Sequence, residues 1–421
     1  MASHVRWLNA TLPLFLILPL FLAAPTARPA QANGPVIPGK YIVVLDASLD
    51  SSAAAAGLAQ KYGLGVSHVY RHALNGFAAT IPDQRLAQLR GEPGVISVKP
   101  DHLVSIDAKP CPNPPCGGGG GSQQTVPTGI LRINGDLSST VSGNGSGSVN
   151  VDVAVIDTGI DLDHPDLNVV GGVNCSSGRS FDDGHGHGTH VAGTIAALDN
   201  STGVVGVAPG ARLYAVRVLN NAGSGSWASV ICGVDWVTAN ASTIEVANMS
   251  LGGGGSEEGC NDGGLQEAIC NSVDAGVTYA VAAGNESDNA ANHVPAAYDQ
   301  VITVSALADF DGEPGGLAGP TCRDDEDDTF ANFSNFGADV DLIAPGVCIL
   351  STWKGGGYNT ISGTSMASPH VAGAAALYKS GNPGASPAQV KGALQNAGNT
   401  NWNNSDDGDG TKEKLLDVGG F

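Results

Sequence analysis

The stretch VNVDVAVID, residues 149–157, is an apolar, β-branched run that ends on an aspartate. A strand buried on both faces reads this way. Four later runs share its character: ARLYAVRVL (211–219), IEVANMSL (244–251), GVTYAVAAG (276–284) and QVITVSAL (300–307). Helical patterns lie between them at 189–198, 227–239, 264–275 and 365–379. Alternating buried strands and helices specify an α/β fold, a doubly wound, mainly parallel sheet. In such sheets the reactive crevice lies outside the carboxyl ends of the strands, which is where Asp157 falls.

Working outward, residues 34–107 form a smaller unit. A strand (KYIVVL), a helix (SSAAAAGLAQKYG), a strand (GFAATI), a helix (PDQRLAQLRGEPGV) and a closing strand (ISVKPDHLVSI) follow one another in a β-α-β-β-α-β-like rhythm. This is a small α+β, ferredoxin-like domain. Residues 108–122 are rich in proline and then glycine, which reads as a linker. Residues 1–32 carry Arg6, an apolar run interrupted by Pro13 and Pro19, and an Ala-Gln-Ala site, the pattern of a cleaved secretory signal. Export makes the eight cysteines candidates for disulfides. The expected division is therefore 1–32 signal peptide, 33–107 N-terminal domain, 108–122 linker and 123–421 main body.

The 421 residues include 40 acidic and 19 basic side chains, a formal net charge of -21. That sign excludes nucleic acid and anionic membrane as ready partners, since phosphate must be met by cations. No later apolar run is long enough to span a bilayer, so no membrane is expected for the mature form. The 60 glycines follow no collagen-like period and indicate many tight turns.

Three residues stand at element ends in the order Asp, His, Ser: Asp157, His187 ahead of a small-residue helix, and Ser365 after a glycine at a helix start. A serine hydroxyl attacks only when an imidazole takes its proton and a buried carboxylate holds the imidazole. A helix start also offers unpaired N–H groups to a developing oxyanion. The stretch GHGHGTHVAGT holds three histidines, His185, His187 and His190. A second reading is therefore a zinc hydrolase built on that cluster, although no H-E-x-x-H helix accompanies it. A third is a non-catalytic binding protein.

DTGIDLDHPDL, HGTHVAGT and GTSMASPHVAG resemble the three signature blocks of the subtilisin-like serine proteases, the subtilase family. NMSLGG and AAGNE resemble two further blocks of that family in the right order, and the N-terminal unit resembles its inhibitory propeptide. The resemblance implies a secreted serine endopeptidase, made as a self-inhibited, self-processed precursor and acting on proteins and peptides as a monomer. It implies Asp157, His187 and Ser365 as the triad and Asn285 as an oxyanion donor. His190 becomes a packing or hydrogen-bonding residue and His185 an exposed loop imidazole without a duty. Gly223, Ser224 and Gly225 would form one backbone edge for substrate, and Ser250, Leu251 and Gly252 the other, with Trp227 at the lip of a distant subsite. Gly252 and Gly253 at the pocket wall imply a broad, mostly apolar preference before the cut, Glu286 being the one acidic candidate there.

ALDNSTGVVGVAP resembles the family's calcium loop. It implies Ca2+ held by the carbonyls of Leu198, Thr202 and Val204, the side chains of Asn200 and Asp166, and Gln124. QTVPTG resembles the mature start and implies processing near residues 122–123. Motif alignment suggests the pairs Cys175–Cys232, Cys260–Cys270 and Cys322–Cys348, with Cys111 and Cys116 closing a small loop or remaining thiols. The acidic runs RDDEDD (323–328) and DDGDG (406–410) read as solvated loops.

Overall fold

In the computed structural model, residues 1, 34–106, 108–111, 123–404 and 407–421 are described. The proposed signal segment, most of the linker, the 122–123 junction and the Cys111–Cys116 alternative lie wholly or partly outside them. The main sheet has strand order β15-β14-β12-β10-β6-β8-β7, with β16 also paired to β14. Its strands are β6 (Asp152–Asp157), β7 (Val169–Asn174), β8 (Arg212–Arg217), β10 (Val246–Met249), β12 (Thr278–Ala282), β14 (Ile302–Ala308), β15 (Thr329–Phe330) and β16 (Leu342–Pro345). All pairings but β14–β15 are parallel. Every residue of β6, β10, β12, β14 and β16 is buried, which is why these strands lack polar alternation.

The helices match the sequence reading within a few residues: α4 (His187–Ala196), α5 (Trp227–Ala239), α6 (Leu265–Asp274) and α7 (Thr364–Gly381). Strands β7 and β16, the hairpin β17 (Ile349–Trp353) and β18 (Gly357–Ser362), and helix α8 (Pro387–Ala397) were not anticipated. Gly171 and Gly172 in β7 mute its strand signal. The three suggested disulfides, Cys175–Cys232, Cys260–Cys270 and Cys322–Cys348, are formed.

The N-terminal unit runs β1 (Val36–Leu45), α1 (Ser51–Tyr62), β2 (Gly65–Tyr70), β3 (Gly76–Thr80), α2 (Asp83–Arg90) and β4 (Val95–Ser105). Its sheet, ordered β2-β3-β1-β4, continues into β9 (Ser224–Ser226) of the main body. One apolar cluster is shared across the junction: Tyr70, Leu74 and Val104 pack with Ile231, Val234 and Leu265. The polar contacts converge on α5. Asp101 Oδ1 accepts from the Ala228 N–H (3.0 Å), adding a carboxylate to the helix N-terminus beside the capping box of Ser226 and Ser229. Asp235 Oδ1 accepts from three successive N–H groups, Arg71, His72 and Ala73, at 2.7–2.9 Å.

Candidate active site

Asp157 closes β6 and His187 opens α4, and both side chains are fully buried. His187 Nδ1 lies 2.8 and 3.0 Å from the two carboxylate oxygens of Asp157. The approach depends on Gly188, because a Cβ there would meet the Gly159 carbonyl oxygen at 2.1 Å and the Asp157 Cβ at 3.1 Å. A residue missed by sequence reading holds this corner. Buried Asp183 accepts from the N–H groups of His185, Gly186 and Thr189 and from the hydroxyls of Thr158 and Thr189, at 2.7–3.0 Å. It thus caps α4 from outside the helix; an aspartate just ahead of a helix start was the available signal.

Ser365 is the second residue of α7, behind Gly363. The Thr364 N–H and hydroxyl both donate to Asn285 Oδ1 (2.8 and 3.0 Å), which fixes the amide beside the helix start. A Cβ on Gly363 would lie 3.6 Å from both Asn285 Nδ2 and the Ser365 N, in the space between those donors. Pro369, inside α7, has no N–H for the Ser365 carbonyl four residues back. Ser250 Oγ donates to that carbonyl instead (2.8 Å), and the Asn248 amide donates to Ser250 Oγ. The Ser365 hydroxyl donates to the Ser250 carbonyl (3.2 Å), and His187 Nε2 has no hydrogen-bond partner among the described residues.

The two expected backbone edges flank one strand, and that strand is the chain's own. β4 pairs antiparallel with β9 through Leu103–Ser226, Val104–Gly225 and Ser105–Ser224. The Ile106 N–H continues this edge by donating to the Gly223 carbonyl (3.1 Å); opposite, Ser105 and Gly252 exchange N–H···O contacts at 3.4 Å. Past the site, β5 (Lys109–Pro110) pairs with β18, Lys109 opposite Ser362. Leu251 and Trp227 are buried in the shared cluster, with Trp227 as the first residue of α5. Exposed Glu286 accepts from the Asn335 amide (2.8 Å).

The three histidines do not converge. His190 is fully buried, and its Nε2 donates to the Ile349 carbonyl (2.9 Å). His185 is not the exposed imidazole expected: it is half-buried, its Nδ1 accepts from the His187 N–H (3.3 Å), and its ring meets His187 and Trp353. The end of β17, through Trp353, lies over it. Burial lowers its pKa below the usual imidazole value.

Gln124, Asp166, Asn200 and the carbonyls of Leu198 and Val204 lie together, whereas Thr202 meets Asn200 through its N–H and hydroxyl. The Gln124 amide donates to the carbonyls of Leu198 (2.7 Å) and Val204 (3.2 Å). Asp166 accepts from the Asn200 amide (3.1 Å) and the Val204 N–H (3.0 Å), and Asn200 Oδ1 accepts from Thr202. The set suits a hard cation. Turning the Gln124 amide brings a third oxygen toward two carbonyls, and Asp166, 1% exposed, has no lysine or arginine partner among the described residues. The run 323–328 departs from expectation, because Asp325, Asp327 and Asp328 are buried. The run 406–410 lies partly outside the described residues.

Comparison with known proteins agrees with this geometry. Residues 148–413 match the model of the Subtilase family, and residues 40–107 that of Peptidase inhibitor I9. Subtilisin DY of Bacillus licheniformis is 44% identical over 275 residues, 64% of this chain and 90% of that protein. Subtilisin E of Bacillus subtilis (strain 168) is 37% identical over 402 residues, 94% of each. The Extracellular serine proteinase of Thermus sp. (strain Rt41A) is 40% identical over 384 residues, 85% of this chain and 84% of its own. Among solved structures, a cold adapted subtilisin-like serine proteinase matches with TM-score 0.54 and 40% identity, covering 64% of this chain and 89% of that one. The chain therefore belongs to the subtilase family, as a serine endopeptidase with an I9 inhibitor region ahead of its peptidase body.

Proposed function

We propose that this protein is a secreted endopeptidase that hydrolyses peptide bonds through Asp157, His187 and Ser365, with Asn285 and the Ser365 N–H receiving the oxyanion. The observation that carries this reading is the β4 strand lying between the two backbone edges as an extended substrate would. On attack, the Ser365 hydroxyl turns from the Ser250 carbonyl to His187 Nε2, which takes its proton. Asp157 keeps Nδ1 protonated and steadies the imidazolium. The imidazolium then protonates the leaving amine, and water, activated by the same ring, releases the acyl group from Ser365. The glycine-lined pocket wall and the engagement of Glu286 with Asn335 support a broad, mostly apolar preference before the cut.

Gln124, Asp166, Asn200 and the carbonyls of Leu198, Thr202 and Val204 would hold Ca2+, which would supply structural rigidity to this loop. Residues 33–107 act as the inhibitor, 108–122 as the linker and 123–421 as the peptidase, which works as a monomer. The leader pattern, and the name of the Thermus relative, support export. Strand register supports a first self-cleavage between Ile106 and Lys109, where the chain crosses from β4 to β5, and trimming near 122–123 follows. Ser365→Ala tests the whole scheme: the expected product is an uncut, inactive precursor, read by gel and N-terminal sequencing. Wild-type-like cleavage of a peptide substrate by this variant would overturn it.

A further inference from the structure

We propose that Asp309, Asp311 and Asp327 form a second divalent-cation site, of calcium type, in the loop between β14 and β15. One carboxylate oxygen from each residue lies within 4.8 Å of the others. Oxygens on opposite sides of a calcium ion, each about 2.4 Å from it, are about 4.8 Å apart, so one ion can be shared by all three. The independent sign of a ligand is Asp309. Its side chain is fully buried; its Oδ1 accepts from the Gly312 N–H (2.9 Å), and its Oδ2 has no hydrogen-bond partner among the described residues. Arg132 Nε is 3.2 Å away, but its hydrogen is directed to Asp328 Oδ1 (2.8 Å).

The local charge is also only partly compensated. Five carboxylates, those of Asp309, Asp311, Asp325, Asp327 and Asp328, face two guanidiniums. Arg132 is shared between Asp309 (3.2 Å) and Asp328 (2.6 Å), and Arg323 pairs with Asp325, which leaves Asp311 and Asp327 without an ion-pair partner among the described residues. Burying carboxylates together is costly unless each is met by a cation. An all-oxygen set drawn from an irregular loop favours calcium over zinc, which takes nitrogen and sulfur, and over magnesium, which demands a stricter octahedron.

The test uses the full chain carrying Ser365→Ala, stripped of metal and titrated with CaCl2 by calorimetry. Adding Asp311→Asn, at an exposed position that does not threaten folding, should weaken one calcium equivalent at least tenfold. Adding Asp309→Asn should abolish the same equivalent. Asp166→Asn should remove a different one, so failure of this site and failure of the Gln124–Asp166 site are read separately. Calcium should also slow cleavage of the 309–328 loop by an added protease in the parent but not in Asp311→Asn. Unchanged stoichiometry and affinity in both Asp309→Asn and Asp311→Asn would overturn the proposal. If Asp309→Asn does not fold, Asp311→Asn alone decides.

Discussion

His185 and His187 are two residues apart, each followed by glycine, and only their surroundings separate them. His187 faces the Asp157 carboxylate, whereas His185 accepts the His187 backbone N–H. His187→Ala should therefore lower kcat by roughly 10⁴-fold or more. His185→Ala, which removes a buttress rather than the base, should leave kcat within about tenfold of the parent. Steady-state hydrolysis of a chromogenic peptide checks both, and the opposite ranking would move the base to His185. Asp183 acts through position. With its carboxylate gone, three N–H groups and two hydroxyls lose their acceptor and α4 loses its cap. Asp183→Ala should cost on the order of 1–2 kcal/mol of stability and lower kcat more than it changes KM. Asp183→Asn should restore part of both, measured by thermal melting and by the split of kcat from KM.

Helix α5 is where the inhibitor region grips the peptidase. Asp101 meets the positive end of the helix, and Asp235 gathers a turn of the N-terminal unit from the helix side. Hydrogen bonds to charged groups contribute about 1.5–3 kcal/mol each, less when partly solvated. Asp235→Ala should thus loosen inhibition by at least tenfold after self-cleavage. The expected sign is a shorter lag before activity appears in a continuous assay of the maturing precursor, and an unchanged lag would place the grip in the shared apolar cluster alone. In α7, the helix start that presents Ser365 carries a proline-made gap in its hydrogen bonding, closed by Ser250. Ser250→Ala leaves the Ser365 carbonyl unpaired, so it should lower the melting temperature while Ser250→Thr keeps it near the parent's.

Across the whole molecule, two buried imidazoles contribute to the acid limit. Burial lowers His190 to about 3 and His370 to about 4 from an ordinary 6.5. As pH falls below 6.5 the unfolded chain takes up these protons while the folded chain does not. Their contribution to stability is full above pH 6.5 and is lost as pH drops toward 4 and then 3. Melting of the Ser365→Ala precursor should therefore fall steeply across this window, and His370→Asn should make the slope shallower. A slope unaltered by His370→Asn would remove that group from the account.

Much of this molecule follows from local sequence alone. Strands buried on both faces leave unbroken apolar runs, helix starts leave glycine and cap residues, and the proposed nucleophile, base and carboxylate stand in order at element ends. Those features depend on neighbours a few residues away, so the sheet, its main helices and the element ends that carry residues 157, 187 and 365 were legible before any coordinates. The glycine-containing strand β7, the carboxylate of Asp183 on the base-bearing helix and the burial of Asp309 and Asp327 were not. Each depends on partners brought close only by the folded chain. The same holds for β4 in the cleft, where main-chain hydrogen bonds carry no residue code. Burial and pairing energies are set by such distant neighbours, and the tertiary structure alone decided them.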